Sequence, residues 1–197
     1  TFNQRNQGKT IAESFAMFAN TLPRVSERSI PYVPILSTVF GCPFAGEIAP
    51  QRVVELVRQL VEVGAEEVIL GDTIGCAVPT QVNSLLAQIR EVIPESVRIG
   101  MHFHNTRNTG LANVYAALAG GVRSFDASLG GLGGCPFAPR ATGNICTEDL
   151  AYMLRNMGCE TGIDLPRLLE TANWMQDFFE TILPGQVMKA GLFPEVA

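Results

Sequence analysis

Short apolar runs separated by single amphipathic helices recur along this chain, and that alternation restricts its fold more than any other feature. A helical pattern opens at Thr10, with Ile11, Phe15, Phe18 and Leu22 on one face and Thr10 and Glu13 spelling a capping box. An apolar run follows over residues 31–41, strand-like despite Pro34 and ending at Gly41-Cys42-Pro43. Pro50 can open the next helix, with Val53, Val54, Val57, Leu60 and Val61 as its apolar stripe up to Gly64. Strands are expected at 67–72, 97–104 and 123–129, with helices after Pro79 and over Leu111 to Ala119 between them. Val82, Leu85, Leu86 and Ile89 form the buried side of the helix after Pro79. A loop over 129–146 and helices over 147–183 complete the pattern, and the chain is expected to start inside a loop.

Strands joined by single helices argue for βα units and a parallel sheet. No G-x-G-x-x-G follows the first strand, so a dinucleotide-binding fold has no support. In the last three units the polar residues gather at the C-terminal end of the strand, where a (β/α)₈ TIM barrel builds its active site. A complete barrel takes about 250 residues. This chain of 197 residues therefore reads as the last four βα units of one, the C-terminal half within a single domain.

Composition excludes several function classes. The net charge is −5, with no cluster of Lys and Arg interleaved with aromatics, so nucleic acid is not an expected partner. No apolar run reaches the roughly 18 residues that cross a bilayer, and no membrane partner is expected. The five cysteines are odd in number and lack C-x-x-C spacing, which suits reduced thiols in an intracellular protein.

Residues two apart on a strand point to the same face. In the third strand Val97, Ile99, Met101 and Phe103 make one apolar face, and Arg98, Gly100, His102 and His104 the other. The chain has two histidines, and both stand on that second face near the strand's end. Neutral imidazole is the commonest metal ligand, so His102 and His104 are candidate ligands. Asp72, in Gly-Asp-Thr-Ile-Gly, could be a general acid or base, orient a histidine, or cap a turn. Ser124, Asp126 and Ser128 give the last strand a polar inner face, which either touches substrate or, the favoured reading, hydrogen-bonds within the barrel. The segment Leu129 to Asn144 holds five glycines, two prolines and Cys135, a composition suited to a lid. Cys135 could be nucleophile, acid or metal ligand. Cys42, Cys76, Cys146 and Cys159 read as ordinary small residues.

The motifs GDTIG (71–75), HFHNT (102–106), GGLGGCPFAPRATGN (130–144) and TEDLAYML (147–154) together resemble the 3-hydroxy-3-methylglutaryl-CoA lyase family of metal-dependent TIM-barrel lyases. The likeness runs from about Phe2 to Leu183, and the glycine–cysteine loop is its most specific part. It implies that His102, His104 and Asn144 bind a divalent cation, Mg²⁺ or Mn²⁺. It also implies that Asp72 takes part in acid–base work, with Cys135 and His102 the other catalytic residues. The implied reaction is retro-aldol (Claisen-type) cleavage of an acyl-CoA substrate to acetyl-CoA and acetoacetate. A homodimer is implied for the complete protein, in the bacterial cytoplasm or the mitochondrial matrix. The family's first-strand Arg-Asp pair is expected before Thr1. Arg140 and Asn105 stand where the family commonly has glycine and aspartate. A substrate with a longer branched 3-hydroxyglutaryl chain is the alternative, and a non-catalytic half-barrel is the other.

Overall fold

In a computed structural model of the chain, residues 1–30, 32–134 and 143–193 are described. The elements run α1 (Phe2–Gln7), α2 (Ile11–Ser26), β1 (Ile35–Leu36), β2 (Gly41–Cys42), β3 (Gly46–Glu47), α3 (Pro50–Glu62), β4 (Glu67–Asp72) and α4 (Pro79–Arg90). They continue through β5 (Arg98–Phe103), α5 (Gly110–Ala119), β6 (Ser124–Asp126), α6 (Thr147–Asn156), α7 (Leu165–Phe178) and α8 (Val187–Ala190). Strands β1, β4, β5 and β6 form one sheet in that order, with every pair parallel. β4 and β5 lead into α4 and α5, while β1 reaches α3 through β2 and β3, and β6 reaches α6 through the glycine loop, so the chain carries consecutive βα units.

Local chemistry starts the helices where the sequence says it should. Glu13 N donates to Thr10 Oγ1 (3.2 Å) and Thr10 N to Glu13 Oε2 (2.7 Å), the reciprocal capping box of α2. Pro50 and Pro79 open α3 and α4, where the missing N–H costs nothing. Between helices and sheet lies the core. Val97, Ile99, Met101 and Phe103 are buried there with Val57 and Leu60 of α3, Val82 and Ile89 of α4, and Val114 of α5. Burying one side chain as large as Phe103 contributes roughly 1.5–3 kcal/mol.

Four expectations need correction. The strand expected over 31–41 shrinks to Ile35–Leu36, because Pro34 has no N–H to donate and offers only its carbonyl, to Ile69 N (3.0 Å). Gly41–Cys42 instead pairs antiparallel with Gly46–Glu47 in a small hairpin. The chain opens as helix α1 rather than as a loop. Buried Phe2 stacks on Phe44 at 6.3 Å, and the Arg5 guanidinium lies 4.1 Å from the same ring. β6 covers three residues instead of 123–129, since Ser128 leaves the strand to bridge Cys146. Helical structure also runs past residue 183, in α8.

Candidate active site

Register decides which side chains share a face. His102 pairs with Gly71 on one side and Asp126 on the other, whereas Asp72 pairs with Phe103. His102 and Asp126 therefore stand on the inner face, away from the helices, and Asp72 stands on the helix side. His104 follows just beyond β5, with its ring centroid 5.2 Å from that of His102.

The two imidazoles differ sharply in environment. His102 keeps 29% of its side-chain surface exposed, with Nδ1 3.8 Å from Asp126 Oδ2, too far for a hydrogen bond but close enough for charge to act. His104 is buried, and burial, with a lesser contribution from His102, pulls its pKa down to about 4. It is thus neutral near pH 7, the state a metal ligand requires.

Asn144 reaches this pair through the backbone. It forms an antiparallel bridge with His104, while Asn105 N donates to Gly143 O (3.2 Å) and Ile145 N to Phe103 O (3.2 Å). Its Nδ2 donates to Leu132 O (2.8 Å), which fixes the amide and leaves Oδ1 buried without a partner among the described residues. His104 Nδ1 is likewise buried and unpartnered. An unpaired buried polar atom costs about 1–3 kcal/mol, so two on bridged residues mark a place kept for something else. An imidazole nitrogen and an amide oxygen, with His102 alongside, are donors that suit a divalent first-row cation or Mg²⁺. Among the described residues no cluster of three His, Cys, Asp or Glu is present, so the amide is essential to this set.

Asp72 is wholly buried, and both its oxygens are engaged. Cys76 N donates to Oδ1 (2.9 Å) and Ala77 N to Oδ2 (3.0 Å). Asp72 thus caps the turn after β4, one of the alternatives open in the sequence. Burial raises its pKa against the pull of those two donors. Its neighbour Thr73 was not singled out from sequence, yet Thr73 Oγ1 accepts Thr38 N (2.8 Å) and secures Thr38 at φ 60 above β1.

The polar face of β6 departs from expectation in one place. The Asp126 side chain makes no hydrogen bond among the described residues and stays 45% exposed beside His102. Ser128 acts through its backbone, donating to Ile145 O (3.1 Å) and accepting from Thr147 N (2.9 Å). Asn105 Oδ1 accepts Gly110 N (3.1 Å) at the start of α5, a task an aspartate would perform equally well. Cys135 and Arg140 lie outside the described residues. Sequence reasoning missed Glu148, whose carboxyl is buried under the glycine turn. An acidic residue in a helix's first turn ordinarily signals only the helix dipole.

A profile of the HMGL-like family matches residues 1–175. The chain belongs to the HMGL-like family. It is 45% identical, over 98% of its length and 61% of the relative's, to the (R)-citramalyl-CoA lyase of Chloroflexus aurantiacus. It is also 45% identical to the hydroxymethylglutaryl-CoA lyase of Pseudomonas mevalonii, over 83% of this chain and 54% of that one. An HMG-CoA lyase of Acinetobacter baumannii, solved with coenzyme A and 3-methylmalate, superposes with a TM-score of 0.92 at 40% identity. That superposition covers all of this chain and 64% of the other. Among HMGL-like proteins the fold is the (β/α)₈ barrel, to which this chain contributes four βα units and C-terminal helices. The chain thus spans about three fifths of the length of the relatives it matches.

Proposed function

We propose that the complete protein is a divalent-metal-dependent carbon–carbon lyase that cleaves 3-hydroxy-3-methylglutaryl-CoA to acetyl-CoA and acetoacetate. The observation that carries this reading is the bridged pair of buried, unpartnered donors, His104 Nδ1 and Asn144 Oδ1, in an HMGL-like chain. His102, His104 and Asn144 hold Mg²⁺ or Mn²⁺, which when bound supplies a Lewis acid for the substrate's hydroxyl and carboxylate oxygens. His102, the more exposed imidazole, also borders the reacting hydroxyl, with the Asp126 charge orienting its ring. The hydroxyl proton passes to a base and the C2–C3 bond breaks. Its electron pair becomes the acetyl-CoA enolate, and C3 becomes the keto carbon of acetoacetate. The Cys135 thiol returns a proton to the enolate carbon. Asp72 contributes by holding the turn after β4 through its two backbone hydrogen bonds. Free thiols at Cys42, Cys76, Cys146 and Cys159 fit a reducing compartment, the bacterial cytoplasm or the mitochondrial matrix, and the working form is a homodimer.

In the complete protein, excess chelator should abolish cleavage and Mn²⁺ should restore it; full activity in chelator overturns the metal assignment. Cys135→Ala should lower kcat by roughly 10²–10⁴ with a smaller change in KM, the signature of a lost proton donor. The 45% identity to a citramalyl-CoA lyase over 98% of this chain supports a second reading on the same machinery. In citramalyl-CoA the carboxylate sits on the carbinol carbon, so cleavage releases the 2-oxo acid pyruvate instead of a 3-oxo acid. Offering both thioesters and measuring acetoacetate against pyruvate separates the two.

A further inference from the structure

The segment Leu183-Pro184-Gly185-Gln186, between α7 and α8, lies directly on the base of the glycine loop. It is pinned at both ends. Leu183 N donates to Gln176 Oε1 on α7 (3.1 Å), and Gln186 N and Val187 N donate to Asp149 Oδ1 on α6 (3.0 and 2.7 Å). Between the pins the strap meets a turn, Leu129–Gly131, in which Gly130 and Gly131 take φ values of 62 and 71. Side chains there would be strained in conformation, and a Cβ on Gly130 would be driven into Leu183. A Cβ on Gly131 would stand 2.6 Å from Cys146 Sγ and 3.0 Å from Pro184 Cγ.

Glu148 joins strap and turn from below. Its Oε2 accepts Gly130 N (3.0 Å), and its side chain is completely buried. Its Oε1 has no hydrogen-bond partner and faces Gly185 so closely that a Cβ on Gly185 would collide with it. Tight packing continues toward the candidate metal site. Gly143, next to Asn144, is pressed so near the turn that its Cβ would lie 2.9 Å from Gly131 O. Leu132, the residue after the turn, supplies the carbonyl that holds the Asn144 amide.

We infer that Glu148 and the Leu183–Gln186 strap are positioning residues for Asn144, setting the Gly130–Leu132 backbone so that Asn144 Oδ1 faces the cation. This rests on the reading of Asn144 as a ligand. Nothing in the strap touches the reacting atoms; it acts by fixing the carbonyl that orients the amide. The buried carboxyl of Glu148 is the link that an apolar residue could not supply, because the Gly130 N–H needs an acceptor.

The test is Mn²⁺ binding to the complete protein by titration calorimetry, alongside thermal melting and the kcat and KM of cleavage. Asn144→Ala is the reference, and unchanged Mn²⁺ affinity in that variant overturns the ligand reading itself. With that reference weakened, Glu148→Ala and Leu183→Ala are each expected to weaken Mn²⁺ binding by roughly 10- to 100-fold, as lost supports of a ligand do. kcat should fall more than KM changes. Glu148→Gln, which can still accept from Gly130 N, should restore most of the affinity. Leu169→Ala removes packing from the same apolar cluster without removing an atom of the Glu148–Gly130 hydrogen bond, and it should lower the melting temperature while binding Mn²⁺ like the parent. Native affinity in both Glu148→Ala and Leu183→Ala overturns the proposal, as does an equal loss in Leu169→Ala. Where Leu183→Ala fails to fold, Leu183→Val carries the same comparison.

Discussion

The two faces of the parallel sheet are built to different rules. On the helix side, Ile99, Met101 and Phe103 are buried among other apolar side chains, and even the polar Asp72 has a backbone donor for each oxygen. On the inner side, the Asp126 side chain has no hydrogen bond among the described residues, and His104 and Asn144 each keep a buried atom unpaired there. The helix side is satisfied by the chain itself and supplies stability. Part of that stability holds the inner side in an arrangement unfavourable without a ligand.

The largest effect should come from breaking the satisfied face. Phe103→Ala in the complete protein should cost about 3–5 kcal/mol of unfolding free energy, because the ring is wholly buried and its removal leaves a cavity in the core. Mn²⁺ affinity of the molecules that remain folded should be unchanged. His102→Ala should do the reverse, weakening Mn²⁺ binding by at least about 10-fold with less than about 1 kcal/mol lost in urea unfolding. If His102→Ala unfolds the protein while Phe103→Ala spoils only the metal, the division between the faces is wrong.

That division was partly legible in the sequence. The alternation in β5 places Val97, Ile99, Met101 and Phe103 opposite His102 and His104, and the structure follows it residue by residue. The buried stripes of α3 and α4 were equally clear. In β4 the parity could not be read, because Val68, Ile69 and Leu70 are apolar in succession and the strand is covered on both sides. Only pairing with β5 puts Asp72 opposite Phe103, and that pairing makes it a cap. The contacts of Leu183 with Gly130 and of Gly185 with Glu148 join residues far apart in the chain, and no local spacing announces them. The hairpin of Gly41–Cys42 with Gly46–Glu47 has strands too short for any period to show.

An intermediate effect should sharpen the comparison at Asp72. Asparagine keeps the shape but offers an NH₂ where one oxygen accepted, leaving either Cys76 N or Ala77 N without a partner. Asp72→Asn should therefore cost about 1–3 kcal/mol in chemical denaturation. A variant as stable as the parent but without activity would restore Asp72 to the acid–base role that the family resemblance implied.

The smallest effect concerns pH. Burial raises the Glu148 pKa above its ordinary value of 4.5, with the neighbouring Asp149 charge adding to the rise. The folded state then holds this proton more tightly than the unfolded chain does. The associated stability is complete below pH 4.5 and fades as pH climbs through the folded-state pKa. Glu148→Gln removes that titration. Its melting temperature should gain on the parent's as pH rises from 4.5 toward 7, and parallel melting curves across that range would count against a buried, proton-holding carboxyl.

The hydrogen bond from Gly143 N to Gly133 O (3.1 Å) carries a consequence for how chains of this family diversify. It ties the two ends of the glycine loop together at a neck that the strap, the turn and Asn144 already fix. The chain between the ends is then a cassette whose closure has been met elsewhere, and lengthening it costs little: about 0.6 kcal/mol for a doubling. Residues between those ends can be exchanged or spaced apart without moving Asn144 at the loop's exit. A neck of this kind lets the loop vary in length and composition while the residues around it keep their places.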